Sequence, residues 1–397
     1  MKMKKTVDDV NFEGKRTFIR CDFNVPVVDG AISNDLRIVS ALPTIKKVLA
    51  DGGRAVLASH MGRPKGQRDE KFSLKLVAAR LTELLDQDVA LLNDCFGADV
   101  ETAVNALENG QVVLLENVRF HAAETSKDAA DIEGMAAEFA KFTDIFVGDA
   151  FGSAHRAHAS VVGLSKHVEA VSGYLMAKEL EYFGKVLESP EKPVVAILGG
   201  AKVSDKIMLI ENMLDKVDKV IVGGGMAYTF QYAQGRDVGN SLLEKDKAEL
   251  ALSLIEKAKA KGVELILPLD TVIADDFSAD ANTEVVTGDI KAGWEGIDVG
   301  PAAVEQFSAA VADAKVVVWN GPLGVFEIEP FSHGTRGMGE VLAKSSATTI
   351  IGGGDTASAV VKFGIADQMS HISTGGGASL ELLEGKVLPG VDCLNEK

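Results

Sequence analysis

Val194-Val-Ala-Ile-Leu198-Gly199-Gly200-Ala201-Lys202 decides the fold: five apolar residues in a row, then two glycines, then a cation. A run this short, without polar alternation, suits a strand covered on both faces in a parallel sheet. The glycines that end it let the backbone turn sharply and come close to a ligand. The same grammar recurs in Val220-Ile-Val-Gly223-Gly224-Gly225, Thr349-Ile-Ile-Gly352-Gly353-Gly354-Asp355-Thr356 and Ile372-Ser-Thr-Gly375-Gly376-Gly377. Each run leads into a predicted helix. Further short runs at Arg54–Ser59, Val112–Leu115 and Asp144–Val147 carry the pattern into the first half, and Lys315–Trp319 adds another in the second. Between them lie helical stretches, such as Leu242–Lys261 with Leu250, Leu254, Lys257 and Ala258 at helical spacing. Strand, turn and helix in alternation mean an α/β protein with parallel sheets.

The chain has 397 residues, long for one core, so two domains are expected. The boundary is placed around Ser172–Pro193. There a helical run carries Met176, Leu180, Phe183 and Leu187 on one stripe, and Ser189-Pro190 stops it. Such a helix could link two domains as a lever, or be one more crossover helix; periodicity does not separate the two.

Composition narrows the classes. At 46% hydrophobic and 25% charged the chain reads as an ordinary globular protein. Cys21, Cys95 and Cys393 are far apart and form no C-x-x-C, which excludes a disulfide scaffold or zinc ribbon and fits a reducing compartment. No apolar run approaches the roughly 20 residues of a membrane span, and no apolar stretch follows the basic start as an export signal requires. A net charge of −17 argues against nucleic acid as a partner. The charge is uneven: residues 1–172 hold 21 Lys+Arg against 25 Asp+Glu, and the remainder 20 against 33.

Four glycine turns opening onto helices in one half point to a phosphate-binding edge, since a helix N-terminus offers free N–H groups to anions. Tight packing is the other explanation for glycines. The G-x-x-x-x-G-K-[ST] loop is absent, as are the H-R-D and D-F-G motifs. Gly352-x-Gly354-x-x-Ala357 fits a dinucleotide fingerprint, but the acidic residue expected about 20 positions later is missing. Lys202 and Lys206, four apart at a predicted helix start, make sense beside a polyphosphate or as a solvated pair. Asp355 reads as an N-cap or as a carboxylate for Mg²⁺.

The first half contributes Arg20-Cys-Asp22-Phe23-Asn24-Val-Pro26, Arg37, Ser59-His60-Met61-Gly62-Arg63-Pro64, Glu116-Asn-Val-Arg119-Phe120 and Ala154-His155-Arg156-Ala-His158. Arginine forks match phosphate and carboxylate oxygens, so Arg37, Arg63, Arg119 and Arg156 together could hold a small, highly anionic substrate. His155-x-x-His158 alone does not make a metal site, because no third ligand is placed.

These motifs, with Gly199-Gly200-Ala201-Lys202-Val203-x-Asp205-Lys206, Trp319-Asn320-Gly321-Pro322 and Gly352-Gly353-Gly354-Asp355-Thr356, resemble phosphoglycerate kinase in order and over nearly the whole chain. The length resembles the compact bacterial form. The resemblance implies two similar-sized domains, each a three-layer parallel αβα sandwich, joined by a helix hinge. They would be 1–172, which binds 3-phosphoglycerate, and 173–388, which binds Mg-nucleotide, with the tail 389–397 returning to the first. It implies substrate contacts by Asp22, Phe23, Asn24, Arg37, His60, Met61, Gly62, Arg63, Arg119 and Arg156. It implies nucleotide contacts by Lys206, Gly224, Gly296, Asn320, Pro322, Glu327, Gly353, Gly354, Asp355 and Thr356, with Asp355 on Mg²⁺.

The implied reaction moves the acyl phosphate of 1,3-bisphosphoglycerate to ADP, reversibly. In reverse the nucleophile is a carboxylate, already ionised at neutral pH, so no general base is required. Arg37 and Lys202, one from each domain, would bind the moving phosphoryl group, with amides near Gly352 and Gly375 completing the cradle. Domain closure would align the ligands and exclude water. A nicotinamide-dependent dehydrogenase and a non-catalytic anion-binding hinge protein are the rival readings. By the same resemblance the protein is expected to be a cytoplasmic monomer.

Overall fold

The computed structural model describes residues 3–188 and 190–397; Ser189, expected to stop a helix, lies outside them. The chain forms two compact units. One runs to Leu180 and takes back Val387–Lys397; the other is Glu181–Lys386.

The first unit holds strands β1 (Arg16–Arg20), β2 (Val27–Val28), β3 (Ala31–Ile32), β4 (Arg54–Ala58), β5 (Ala90–Leu91), β6 (Val112–Leu114), β7 (Ile145–Gly148) and β8 (Glu169–Ser172). Six of them form a parallel sheet in the order β5-β6-β4-β1-β7-β8, and β2 and β3 make a small hairpin. Both faces are covered. Ile19, Leu57, Leu114 and Val147 pack with Ile38, Ile45 and Val48 of the helix Leu36–Ala50 and with Val77 and Leu81 of Lys75–Leu85. On the other face Phe18 meets Phe146 and, at 5.0 Å between ring centres, Phe139 of the helix Ala129–Ala140. Arg20 is level with Ala58 and Gly148, so residues following β1, β4 and β7 emerge at one edge.

The second unit holds β9 (Val194–Leu198), β10 (Lys219–Val222), β11 (Glu264–Ile266), β12 (Thr271–Ala274), β13 (Thr283–Val286), β14 (Glu295–Val299), β15 (Val316–Asn320), β16 (Thr348–Gly352) and β17 (His371–Ile372). Its parallel sheet runs β11-β10-β9-β15-β16-β17. Val195, Ile197, Val317, Trp319 and Ile351 pack against Phe307, Met338 and Leu342 from the helices Pro301–Val311 and His333–Ala343. Asn320 is level with Leu198 and Gly352, so the glycine turns share an edge. The α/β class with two parallel-sheet domains is therefore the observed one.

Three local differences have physical causes. The helix expected at Leu242–Lys261 begins at Ala248, after a 3-10 turn, and buries Ala251, Leu254 and Ala258, while Lys257 is exposed and Leu250 half-buried. The helix after Gly199-Gly200 begins only at Ile207, so Lys202 and Lys206 lie in the loop before it. The antiparallel sheet β13-β12-β14 is an addition to the expected strands: its runs are short, and β13, with Thr283 and Glu284, is largely exposed while β12 is mostly buried. The helix Tyr174–Leu187 buries Met176, Glu179, Phe183 and Val186, with Leu180 and Leu187 half-buried. Among the described residues no helix is long and apolar enough to cross a membrane.

Candidate active site

At the sheet edge of the first unit the loops after β1, β4 and β6 are tied into one cluster. Arg37, in the first turn of its helix, donates to Asp22 Oδ1 at 3.3 Å and to the Asn24 carbonyl at 3.0 Å. Asn24 Oδ1 accepts the Gly62 N–H at 2.9 Å, and Arg119 donates to the Gly62 carbonyl at 2.8 Å. Gly62 has φ +60°, and a Cβ there would meet the Phe72 ring at 2.3 Å. Arg63 and Arg156 are exposed; each adds its charge to the cluster, Arg63 acting on Arg119 and Arg156 on His158.

Beneath them lies Arg20, which the sequence reading quoted but gave no role. It is 1% exposed and donates to Ser160 Oγ at 2.7 Å, with His60 Nδ1 3.3 Å away. Glu124, fully buried, sits 4.0 Å from Arg20 and 3.8 Å from His158, and accepts from the Ser160 amide and hydroxyl. A strand-terminal arginine after apolar residues was a signal for Arg20; nothing local marks Glu124, which lies 104 positions away.

Positive charge here is under-compensated. Burial, then repulsion from Arg20, lowers the Arg119 guanidinium to about 10. His158 falls to about 3, through burial and then Arg119 and Arg20. His60 is pushed well below its ordinary value by burial and the same arginines. Arg119 Nε and His158 Nδ1 are buried without a hydrogen-bond partner. An anion would relieve all of this at once.

Two expected residues play a different part. The side chains of Phe23 and Met61 belong to the hydrophobic core, so only their backbones can face the site. The Met61 carbonyl is taken by Asn117 Nδ2 at 2.8 Å. His155 and His158 join no cluster of three metal-ligand side chains among the described residues. Cys21 is fully buried and its thiol is pushed up by burial, which makes it unreactive.

In the second unit the glycines divide by cause. A Cβ on Gly199 would meet the Pro322 carbonyl at 2.0 Å, one on Gly321 the Gly199 carbonyl at 2.1 Å, and one on Gly224 the Gly200 backbone at 2.8 Å. These three serve backbone-to-backbone packing. Gly296 is small because Tyr228 lies against it, at 2.4 Å from a Cβ. Gly354 and Gly376, by contrast, have nothing within 4 Å.

Around that open edge, Lys206 Nζ donates to Asn320 Oδ1. Burial lowers Lys206, and Glu384, Asp205 and Asp355 oppose the shift. Asn320 Nδ2 is buried without a partner. The N-cap of the helix Gly354–Lys362 is Gly353, at φ +85°, not Asp355, whose exposed carboxylate sits in the first turn without capping it. The Thr356 hydroxyl oxygen accepts the Gly321 N–H at 2.7 Å, and Thr356 is fully buried. The Gly375 amide is already given to Ser373 Oγ at 3.1 Å. Glu327 is exposed, with its carbonyl held by Lys362 at 3.0 Å, and Pro322 is half-buried. Lys202 is exposed.

The edge of each unit thus offers donors to an anion. The phosphoglycerate kinase family model matches residues 7–386. The solved structure of phosphoglycerate kinase from Coxiella burnetii is 45% identical, with a TM-score of 0.91 over 98% of both chains. That from Pyrococcus horikoshii OT3 is 32% identical, with a TM-score of 0.84 over 98% of both. The chain belongs to the phosphoglycerate kinase family.

Proposed function

We propose a division of labour among residues for the reaction that goes with this family. The activity is that of an ATP:3-phospho-D-glycerate 1-phosphotransferase of glycolysis. In our reading the first unit holds 3-phosphoglycerate or 1,3-bisphosphoglycerate through Asp22, Asn24, Arg37, His60, Gly62, Arg63, Arg119 and Arg156. The observation that carries this is the buried, unpartnered Arg119 Nε among cations that depress one another. Phe23 and Met61 contribute backbone alone.

The second unit holds the nucleotide. Lys206 faces its phosphates, Thr356 reaches them only once its buried hydroxyl is uncovered, Asn320 Nδ2 gains the partner it lacks, and Gly224, Gly296, Pro322 and Glu327 border the nucleoside. Mg²⁺ fits Asp355: a hard ion wants oxygen, and this carboxylate is exposed and not spent on a cap. When bound it would neutralise charge on phosphate oxygens.

Arg37 and Lys202 neutralise the moving phosphoryl group, and amides at Gly352 to Gly354 complete the cradle. The Gly375 amide joins only by releasing Ser373. The acceptor carboxylate is ionised at neutral pH, so positioning and charge replace a general base. We further take the protein to act as a cytoplasmic monomer with small-molecule partners.

The test is ATP consumption with 3-phosphoglycerate and Mg²⁺, coupled to reduction of the 1,3-bisphosphoglycerate formed. Lys202→Ala should lose about 100-fold or more in turnover, as removal of one charge-stabilising donor does, with an unchanged circular dichroism spectrum. Near-normal turnover removes Lys202 from the reading.

A further inference from the structure

Asp94, Cys95 and His121 have no part in the assignment above, yet one ligand atom of each lies within 4.8 Å of the others. Asp94 and Cys95 follow β5, and His121 directly follows the 3-10 turn Val118–Phe120. His121 Nε2 is 2.6 Å from Asp94 Oδ1. Cys95 Sγ–H donates to the Glu116 carbonyl at 2.9 Å. Phe96 lies against the imidazole, 4.4 Å between ring centres, and limits how the ring can turn.

The three donors differ in exposure: Asp94 is open to solvent, His121 half-buried and Cys95 buried. The group therefore has a dry floor and a wet mouth. A cavity of about 410 Å³ lined by Leu91, Asn93, Asp94, Phe96 and Asp99 adjoins the mouth. Of the three donors, Asp94 is the one that lines it.

We infer that Asp94, Cys95 and His121 form a second cation site, selective for a borderline-soft divalent ion of the Zn²⁺ type. A sulfur, a nitrogen and an oxygen donor suit such an ion, whereas Mg²⁺ takes oxygen ligands. Three protein ligands plus water make an open tetrahedral site. The ion replaces the His121–Asp94 hydrogen bond with a bond to each: the imidazole binds through Nε2 in the tautomer that carries its proton on Nδ1, and the thiol proton of Cys95 leaves to solvent. Facing charges favour a cation: Asp94, Glu124 and Glu116 act on Cys95 against the single cation Arg68, which is itself paired with Glu70 at 3.1 Å and Glu116 at 3.7 Å and donates to the Asn93 carbonyl.

The segment between Cys95 and His121 includes Asn117, which holds the Met61 and Phe72 carbonyls, and Arg119, which holds Gly62, so the proposed site is tied through the chain to the loops assigned to 3-phosphoglycerate.

The probe is Co²⁺ alone, then Zn²⁺ alone, titrated into chelator-stripped full-length protein. One equivalent of Co²⁺ should give a thiolate-to-cobalt charge-transfer band, which Zn²⁺ bleaches. Cys95→Ser should abolish the band. His121→Gln, at a half-exposed position where the fold is not at stake, should weaken binding by more than the roughly 10–100-fold that loss of an outer partner costs. Cys393→Ser should leave both unchanged. Metal-free thermal midpoints equal to that of the parent protein separate ligand loss from misfolding. No thiolate band in the parent protein, a band that survives Cys95→Ser, or undiminished affinity in His121→Gln overturns the site.

Discussion

His158 shows how a single side chain reports on its surroundings. Its folded value near 3 against 6.5 means that the unfolded chain takes the proton first. Its contribution to stability is therefore present above about pH 6.5 and lost as pH falls toward 3. Binding of an anion among Arg20, Arg119 and Arg156 reverses the repulsion and raises the imidazole. We expect 3-phosphoglycerate to bind with proton uptake, and more tightly as pH falls from neutral. Calorimetry in two buffers of different ionisation heat checks this; zero net proton exchange counts against it. The arginines themselves were legible in the sequence, since each stands in a distinctive motif. Arg20 with Glu124 was not, because a buried counter-charge is defined by tertiary proximity across distant segments.

Elements carry the next set of consequences. The turns after β9 and β15 touch backbone to backbone, so Gly321→Ala should destabilise the second unit by about 1–3 kcal/mol, the usual cost of overpacking. Gly354→Ala, with open space around it, should leave the melting midpoint unchanged and weaken nucleotide binding instead. Differential scanning calorimetry with a nucleotide titration distinguishes the two. The sequence could name both glycines but could not sort them, because packing and ligand approach ask for the same residue. It likewise set Lys202 and Lys206 on a helix, since the loop Ala201–Asp205 has no apolar pattern of its own to reveal where the helix begins. Strand positions fared better: a run of Val and Ile buried on both faces has few other uses.

The start of the helix Tyr174–Leu187 makes a separate prediction. Asp149 is fully buried, accepts the Met176 N–H at 3.1 Å, and is raised to about 7 by burial, against Thr44 and the amides of Met176 and Leu175. Below about pH 3.8 both states hold the proton; between there and about 7 only the folded state does. This carboxyl thus stabilises at low pH, and the benefit is lost as pH rises through about 7. Asp149→Asn should gain in thermal midpoint relative to the parent at about pH 8 more than at about pH 5. Equal differences at both would refute the shift.

At the scale of the whole molecule, the two substrates are assigned to separate compact units, and direct transfer between them calls for closure. Small-angle scattering should show a smaller radius of gyration with both ligands than with either alone; identical values at saturation would argue against it. Family and activity were legible from motif order along the chain, whereas the extent of each unit depends on contacts between distant segments. The last such contact concerns Val387–Lys397. Asn395 bonds to the backbone of Ala170 and Lys5, and the Gly390 N–H to Ala154. These residues leave the ribosome after everything before them. The first unit is thus closed by a segment that the chain reaches only after passing through the whole of Glu181–Lys386. Its completion therefore depends on contacts of far longer sequence separation than any within the second unit, and loop closure makes such contacts the slow ones to form.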